Sequence, residues 1–281
     1  MRQRRGAVLC SKCRQLIGVS ERSCPHCGAV APGLFGFAPA LHRFYSQQLM
    51  LAEALTAVLV LLYTFSVLLD PRQLLEASLF SFGAPTSRSL YLLGMTGGLA
   101  WQEGLYWTVL SAVFLHGSLL HLLFNVSWLR NLVPQLTELI GPARTWALFV
   151  LSGVGGFVLS NLVSGAPTMG ASGGIFGLFG ALWVWGRRRG GTLGRAVSAD
   201  ALGWAVAGTV ISLFMGGVNH WGHLGGLLTG AVVVRFFPLS RAQHETRAIQ
   251  GLGVLLMVGT LLSLVLTPVV LRSHPALMVP G

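Results

Sequence analysis

The sequence predicts an all-α protein, a polytopic bundle of transmembrane helices, with a small cysteine-bearing unit at its N-terminus. Three observations carry that expectation. Of 281 residues, 53% are hydrophobic and only 10% charged, and the apolar runs are longer than a soluble core helix needs. The four cysteines stand as two close pairs, Cys10-x-x-Cys13 and Cys24-Pro25-His26-Cys27. The charge is lopsided, 19 Lys+Arg against 8 Asp+Glu, and it gathers in the loops between apolar runs. That placement points to the lipid bilayer as the partner of the basic residues, and no nucleic acid is expected.

In chain order, Met1-Arg2-Gln3-Arg4-Arg5 leads into a polar segment and not into an apolar run, so no cleavable signal peptide is expected. Residues 1–30 are expected to form a zinc ribbon. Two C-x-x-C knuckles across a short loop bring Cys10, Cys13, Cys24 and Cys27 to one tetrahedral point, with Gly28 letting the second knuckle turn. Iron on the same ligands is the rarer occupant, and two disulfides do not suit a reducing cytosol. The metal is structural, because so short a segment has no core of its own. His26 reads as a knuckle side chain and not as a ligand, and the ribbon is expected to have a regulatory or partner-binding role.

Residues 31–48 read as a linker, 49–271 as the transmembrane domain and 272–281 as a tail. Seven apolar stretches are candidate spans: Leu49 to Leu69, Val109 to Leu132, Trp146 to Val163, Ala171 to Trp185, Ala201 to Met215, Trp221 to Phe237 and Leu252 to Leu271. With a cytosolic N-terminus, the inner loops hold Arg144, Arg187 to Arg189, Arg195, Arg241 and Arg247, and the outer loops after the third and fifth spans hold no basic residue. The positive-inside rule therefore expects the N-terminus in the cytosol and the C-terminus outside it. Arg130 falls within the second span and must snorkel or face the bundle. The connection from Asp70 to Tyr106 is long and carries apolar patches such as Leu90-Tyr91-Leu92-Leu93, which suggests a functional or partly embedded loop.

Polar residues inside spans are costly, so each is a functional candidate set against a role in interhelical hydrogen bonding. His121 and Asn125, four residues apart, share a helix face and can present two donors to one point. Ser172 opens the glycine-rich stretch Gly170-Ala171-Ser172-Gly173-Gly174-Ile175-Phe176-Gly177, where its N–H lies at a helix N-terminus suited to an oxyanion. In the sixth span, His223, Gly226 and Gly230 share a face open to a close neighbour. Ser172 lies about 22 Å of helix from Arg187, and His223 about 18 Å from Arg235, which puts both at comparable depth. The aspartates, Asp70 and Asp200, stand too far off to complete a triad. The proposal is a dyad, His223 as general base and Ser172 as nucleophile, with His121, Asn125 and the Ser172 N–H holding the oxyanion. No catalytic cofactor is needed. A metal site of His116, His121, His220 and His223 lacks a carboxylate to activate water and leaves the serine stretch unexplained. His116 and His220 are expected to hydrogen-bond loops, and His42, His244 and His274 to be solvated.

Taken together, His121-x-x-x-Asn125 with His116 upstream, Gly170-Ala171-Ser172-Gly173 with Gly174, and His223-x-x-Gly226-x-x-x-Gly230 resemble the rhomboid family of intramembrane serine proteases. The resemblance covers roughly half the chain, from the second span to the sixth. It implies a six-helix core, here with a seventh C-terminal span, in a membrane such as the bacterial inner (plasma) membrane. It implies a site open to the extracytoplasmic side that cleaves membrane-anchored proteins within or beside their membrane segment, with Ser172 and His223 as the dyad. Two positions depart from the family pattern. Thr108 follows Trp107 where many members have an arginine, and Phe176 stands where bacterial members often stack a tyrosine on the histidine. Gly173, Gly177, Gly226 and Gly230 are expected to let the fourth and sixth spans approach. The rival from another class is a rhomboid-like protein that binds transmembrane segments without cutting them. Such relatives typically lack a dyad residue, and both are present here. A channel would need charged residues or broken helices along a path through the bundle, and the spans hold few.

Overall fold

The computed structural model describes residues 6–10, 13, 15–19, 21–30, 32, 47–73, 81–214, 217–238 and 245–272. Most of the expected linker, the tail from residue 273, residues 74–80 of the long connection, Met215, Gly216, Arg241 and the histidines 42, 244 and 274 lie outside them. The chain divides into two compact units, residues 1–50 and 51–281.

In the first unit, β1 (Ala7–Leu9) and β2 (Leu16–Gly18) pair antiparallel, with Val8 opposite Ile17. Among the described residues, those two side chains and Cys10 and Cys24 form its buried cluster. An apolar cluster this small leaves the cysteine quartet to hold the unit together.

The second unit is helical. Its long helices are α1 (Gln47–Leu69), α5 (Leu119–Ile140), α6 (Pro142–Val163), α7 (Ser172–Arg189), α8 (Gly191–Leu213), α9 (His220–Val233) and α10 (Arg247–Leu271), with short helices α2 (Ser87–Leu92), α3 (Gly98–Gln102) and α4 (Thr108–Ser111) between α1 and α5. Each of the seven apolar stretches thus contributes a long helix, with shifted bounds. The second stretch is not one helix. Thr108–Phe114 and Leu119–Ile140 meet at 88°, because Leu115 is extended and the Ser118 hydroxyl caps a new helix by accepting from the His121 N–H at 3.2 Å. The hydroxyl removes the need for a preceding turn. Several helices also begin earlier than their apolar stretch. α6 starts at Pro142, suited to a first helical position, so Arg144 lies within its first turn. Its guanidinium donates to the Ile140 carbonyl at 2.9 Å. Arg130 is exposed on α5.

Among the described residues, four helices are long and apolar enough to cross a membrane, or five if the bent pair forms one span. α9, with 14 residues, reaches only about 21 Å, short of a hydrocarbon core of about 30 Å. α7 lies in the interior, where every residue from Gly173 to Gly186 except Trp183 is buried. Around it, α1, α8 and α10 turn large apolar side chains outward, among them Leu61, Phe65, Ile211, Leu255 and Leu262. That is the surface of an integral membrane protein facing lipid.

Glycine sets the centre of this unit. A Cβ on Gly226 would overlap the Gly173 carbonyl, and one on Gly230 the Gly177 carbonyl. The order of these pairs along both helices makes α7 and α9 parallel, backbone against backbone. α6 packs on the same seam, where a Cβ on Gly156 would overlap the Gly222 carbonyl. The long connection is folded onto the bundle: Leu90, Leu93 and Met95 are buried with Leu115.

Candidate active site and cysteine centre

Ser172 is the first residue of α7 and His223 stands in the first turn of α9, so the parallel packing brings both side chains to one end of the bundle. The N–H groups of a helix's first turn have no intrahelical acceptor and carry the positive end of its dipole. The Ser172 N–H is one of them. Phe176, one turn after Ser172 on the same face, stacks on the His223 imidazole with centroids 4.1 Å apart and planes 11° from parallel. An aromatic face thus sets the plane of the imidazole. His223 is 8% exposed, and its buried Nδ1 has no partner among the described residues. Ser172 is half-buried, and no hydrogen bond joins it to His223 among the described residues.

His121 approaches from α5 through a gap left by Gly170. A Cβ on that glycine, whose φ is +124°, would stand 2.7 Å from His121 Nε2 and 3.8 Å from Ser172 Oγ. The missing side chain leaves room for the imidazole edge beside the serine. The Gly117 N–H points at His121 Nδ1 over 3.5 Å. A donor at Nδ1 leaves the imidazole proton on Nε2, the nitrogen turned toward Gly170. Asn125 is buried at 3% exposure, and its Nδ2 donates to the His121 carbonyl at 2.8 Å. Half of its amide donor capacity therefore serves its own helix. Sequence reasoning placed Asn125 on the correct face but missed this local bond, a habit of short polar side chains in helices.

His116 and His220 both lie near the candidate site. His116 is fully buried, packs edge-on to His121 at 5.0 Å, and both ring nitrogens lack partners among the described residues. His220 Nδ1 faces Ser212 Oγ of α8 at 3.4 Å. A cavity of about 290 Å³ beside His223 is lined by Phe176, Thr209, His220, Trp221, Leu224 and Leu227.

Residues 103–240, which contain every group just described, match the family model for the Rhomboid domain. The chain carries a rhomboid domain. It is also 35% identical over 130 residues to the Rhomboid protease GlpG of Yersinia pestis (strain Pestoides F), 45% of this chain and 46% of that protein. The figures are the same for the GlpG of Yersinia pseudotuberculosis serotype O:3 (strain YPIII), and identity is 34% for that of Yersinia enterocolitica serotype O:8 / biotype 1B. The chain spans about half the length of these relatives. Of the two departures noted in the sequence, Phe176 is the ring, without a hydroxyl, that stacks on His223. At the other departure, Thr108 brings a buried hydroxyl to within 3.0 Å of Thr96 Oγ1.

The cysteines of the first unit form a group that can hold a metal ion. All four Sγ atoms lie within 4.8 Å of one another, with Cys10 and Cys27 3.7 Å apart and Cys13 and Cys24 3.6 Å. A tetrahedral ion with metal–sulfur bonds of about 2.3 Å separates its sulfurs by about 3.8 Å. The thiols are free of disulfides. Gly28, at φ +70°, returns its N–H to the Cys24 carbonyl and turns the second knuckle, while His26 is exposed outside the group.

Proposed function

We propose that this protein is an intramembrane serine endopeptidase that cuts membrane-anchored proteins within or near their membrane segment. The observation that carries the reading is the convergence at Gly170 and Phe176, where His121 Nε2 and Ser172 Oγ border one point and His223 stacks one turn below. His223 takes the proton of Ser172 Oγ through Nε2, the ring nitrogen not sealed in the interior, as the serine attacks a peptide carbonyl. The developing oxyanion is met by the Ser172 N–H and by His121 Nε2–H, with Asn125 bracing His121 and offering its remaining amide hydrogen. The imidazolium then protonates the leaving amine, and water admitted to the site hydrolyses the acyl-enzyme. Water and peptide have to bring Ser172 and His223 to hydrogen-bond distance, which is common between a free and an occupied hydrolase site.

Two further parts belong to this reading. Cys10, Cys13, Cys24 and Cys27 hold a structural Zn2+, which supplies cross-linking and no chemistry to the cut. The N-terminus is cytosolic and the C-terminus extracytoplasmic, in a bacterial inner membrane, and the ribbon serves a regulatory partner. Purified protein is expected to cleave a single-span model substrate and Ser172→Ala to abolish cleavage; equal cleavage by the variant would falsify the dyad. The missing Ser172–His223 hydrogen bond favours a second reading, a binder of transmembrane segments that does not cut. That reading requires wild type and Ser172→Ala to be equally inert while both retain the substrate.

A further inference from the structure

We propose that the seventh long helix, α10, positions His223 for the reaction through a buried chain of hydroxyls that ends on the cap of α9, with Ser263, Thr108 and Asn219 as positioning residues. The inference rests on the dyad reading above. It starts from α10, where Ser263 Oγ lies 2.8 Å from Ser111 Oγ and 2.9 Å from the Trp107 carbonyl. One turn on, Thr267 Oγ1 accepts from the Trp107 indole N–H at 3.2 Å. These bonds fasten α4 at both of its ends. From α4, Thr108 Oγ1 lies 3.0 Å from Thr96 Oγ1, which also accepts from Asn161 Nδ2 at 3.1 Å.

Thr96 then passes the constraint to the segment that leads into Ser172. Its backbone pairs with Thr168 in both directions, at 2.8 and 3.2 Å. Thr168 Oγ1 accepts from Asn219 Nδ2 at 2.7 Å, and the second hydrogen of that amide goes to Ser160 Oγ at 2.6 Å. Asn219 Oδ1 accepts from the Gly222 N–H at 2.9 Å, and its carbonyl from the His223 N–H at 3.2 Å. Asn219 is thus the N-cap of the histidine helix with every hydrogen of its amide committed.

Three features make this a coupling and not a set of separate bonds. Thr96, Thr108, Ser111, Ser160 and Thr267 are 0% exposed, so water cannot replace a lost partner, and an unpaired group in an apolar interior is costly. The links tie α10 to α4, α4 to Thr96, Thr96 to Thr168 and Thr168 to the cap of α9, and they run from residue 263 to residue 223 through side-chain bonds and the paired backbones of Thr96 and Thr168. Within α4, the Ser111 hydroxyl is shared between the Gly94 carbonyl at 2.9 Å and the Thr108 carbonyl at 3.2 Å, and the Thr108 hydroxyl also faces the Leu105 carbonyl at 2.6 Å. Finally, α9 is short and glycine-rich, so its first turn is held by the cap and by neighbours more than by its own side chains. The threonine that departs from the family's arginine is a member of this chain.

The test uses the full-length protein in detergent micelles, with Thr108→Val and Ser263→Ala as the breaking variants. Thr108→Ser keeps the hydroxyl. Trp146→Phe removes a different α10 anchor, the indole bond to the Gly253 carbonyl at 3.0 Å. Amide exchange at Gly222 and His223 is read against the C-terminal half of α7, and kcat and KM are measured on the model substrate. Thr108→Val and Ser263→Ala are expected to speed exchange at Gly222 about 3-fold or more. They should also lower kcat about 2- to 10-fold, the kinetic equivalent of one net hydrogen bond, with KM unchanged. Thr108→Ser should restore both readings, and Trp146→Phe should change neither. Unchanged exchange at Gly222 in both breaking variants overturns the proposal, as does an equal effect of Trp146→Phe. If wild type does not cleave, the dyad fails, and the exchange readings still decide whether α10 holds the cap.

Discussion

At the scale of single residues, the site depends on an absence. Gly170 has no side chain, and only that lets His121 Nε2 stand beside Ser172. Gly170→Ala adds a methyl group into the imidazole at a φ of +124°, a conformation that L side chains rarely adopt. It is expected to lower kcat at least 10-fold in protein that still folds. His121→Ala removes the proposed oxyanion donor and should cost about 10²- to 10³-fold in kcat. Both are measured on the single-span substrate, with the thermal transition as the check on folding. The types and spacing of Ser172, His121 and His223 were legible in the sequence, because polar groups in apolar helices are conspicuous. Gly170 was legible as part of a motif but not in its purpose, since the gap it leaves is filled by a residue 49 positions earlier. The Asn219 cap could have been found, as an Asn before a helical run is a standard N-terminal signal. Its partners, Ser160 and Thr168, lie too far off in the chain for any local rule.

At the scale of elements, the glycine seams hold α6, α7 and α9 at backbone contact, and the positions are not equivalent. A Cβ at Gly226 or Gly230 meets backbone, which cannot move aside, while one at Gly173 meets the Gly222 carbonyl at 3.4 Å. Gly226→Ala and Gly230→Ala are therefore expected to destabilise the fold by about 1–3 kcal/mol, as overpacking does, and to cut activity in parallel. Gly173→Ala should be nearly silent. Thermal unfolding in micelles checks the order, and a Gly173→Ala as damaging as Gly226→Ala would contradict the seam. The helices themselves were legible as apolar runs. Their true starts were not, because first turns such as Gly191 to Asp200 are polar and helical at once, so hydropathy ends before the helix does. The break at residues 115–118 was hidden for the opposite reason. Val113, Phe114 and Leu115 are as apolar as the helix that follows, and the cap at Ser118 is made by one hydroxyl.

At the scale of the whole molecule, two different stabilising principles operate in one chain. The bundle is held by close backbone packing and buried hydroxyl bonds inside a lipid-facing shell. Among the described residues the N-terminal unit buries Val8, Ile17, Cys10 and Cys24, with Cys13, Val19, Cys27 and Ala29 packed against them, and on the proposed reading its order depends on a bound ion. About one zinc per chain is expected by elemental analysis. Strong chelation or Cys10→Ser should remove it and abolish amide protection at Val8 and Ile17; retained protection without metal would refute a structural ion. The quartet was legible from spacing alone, since C-x-x-C pairs carry their chemistry locally. The dyad is a claim about two helices and is tested most directly by a fluorophosphonate probe on the full-length protein, with the adduct located by mass spectrometry. The expected result is a covalent adduct on Ser172 that disappears in His223→Ala. A folded wild type that takes up no probe, or labelling indifferent to His223→Ala, would contradict the dyad.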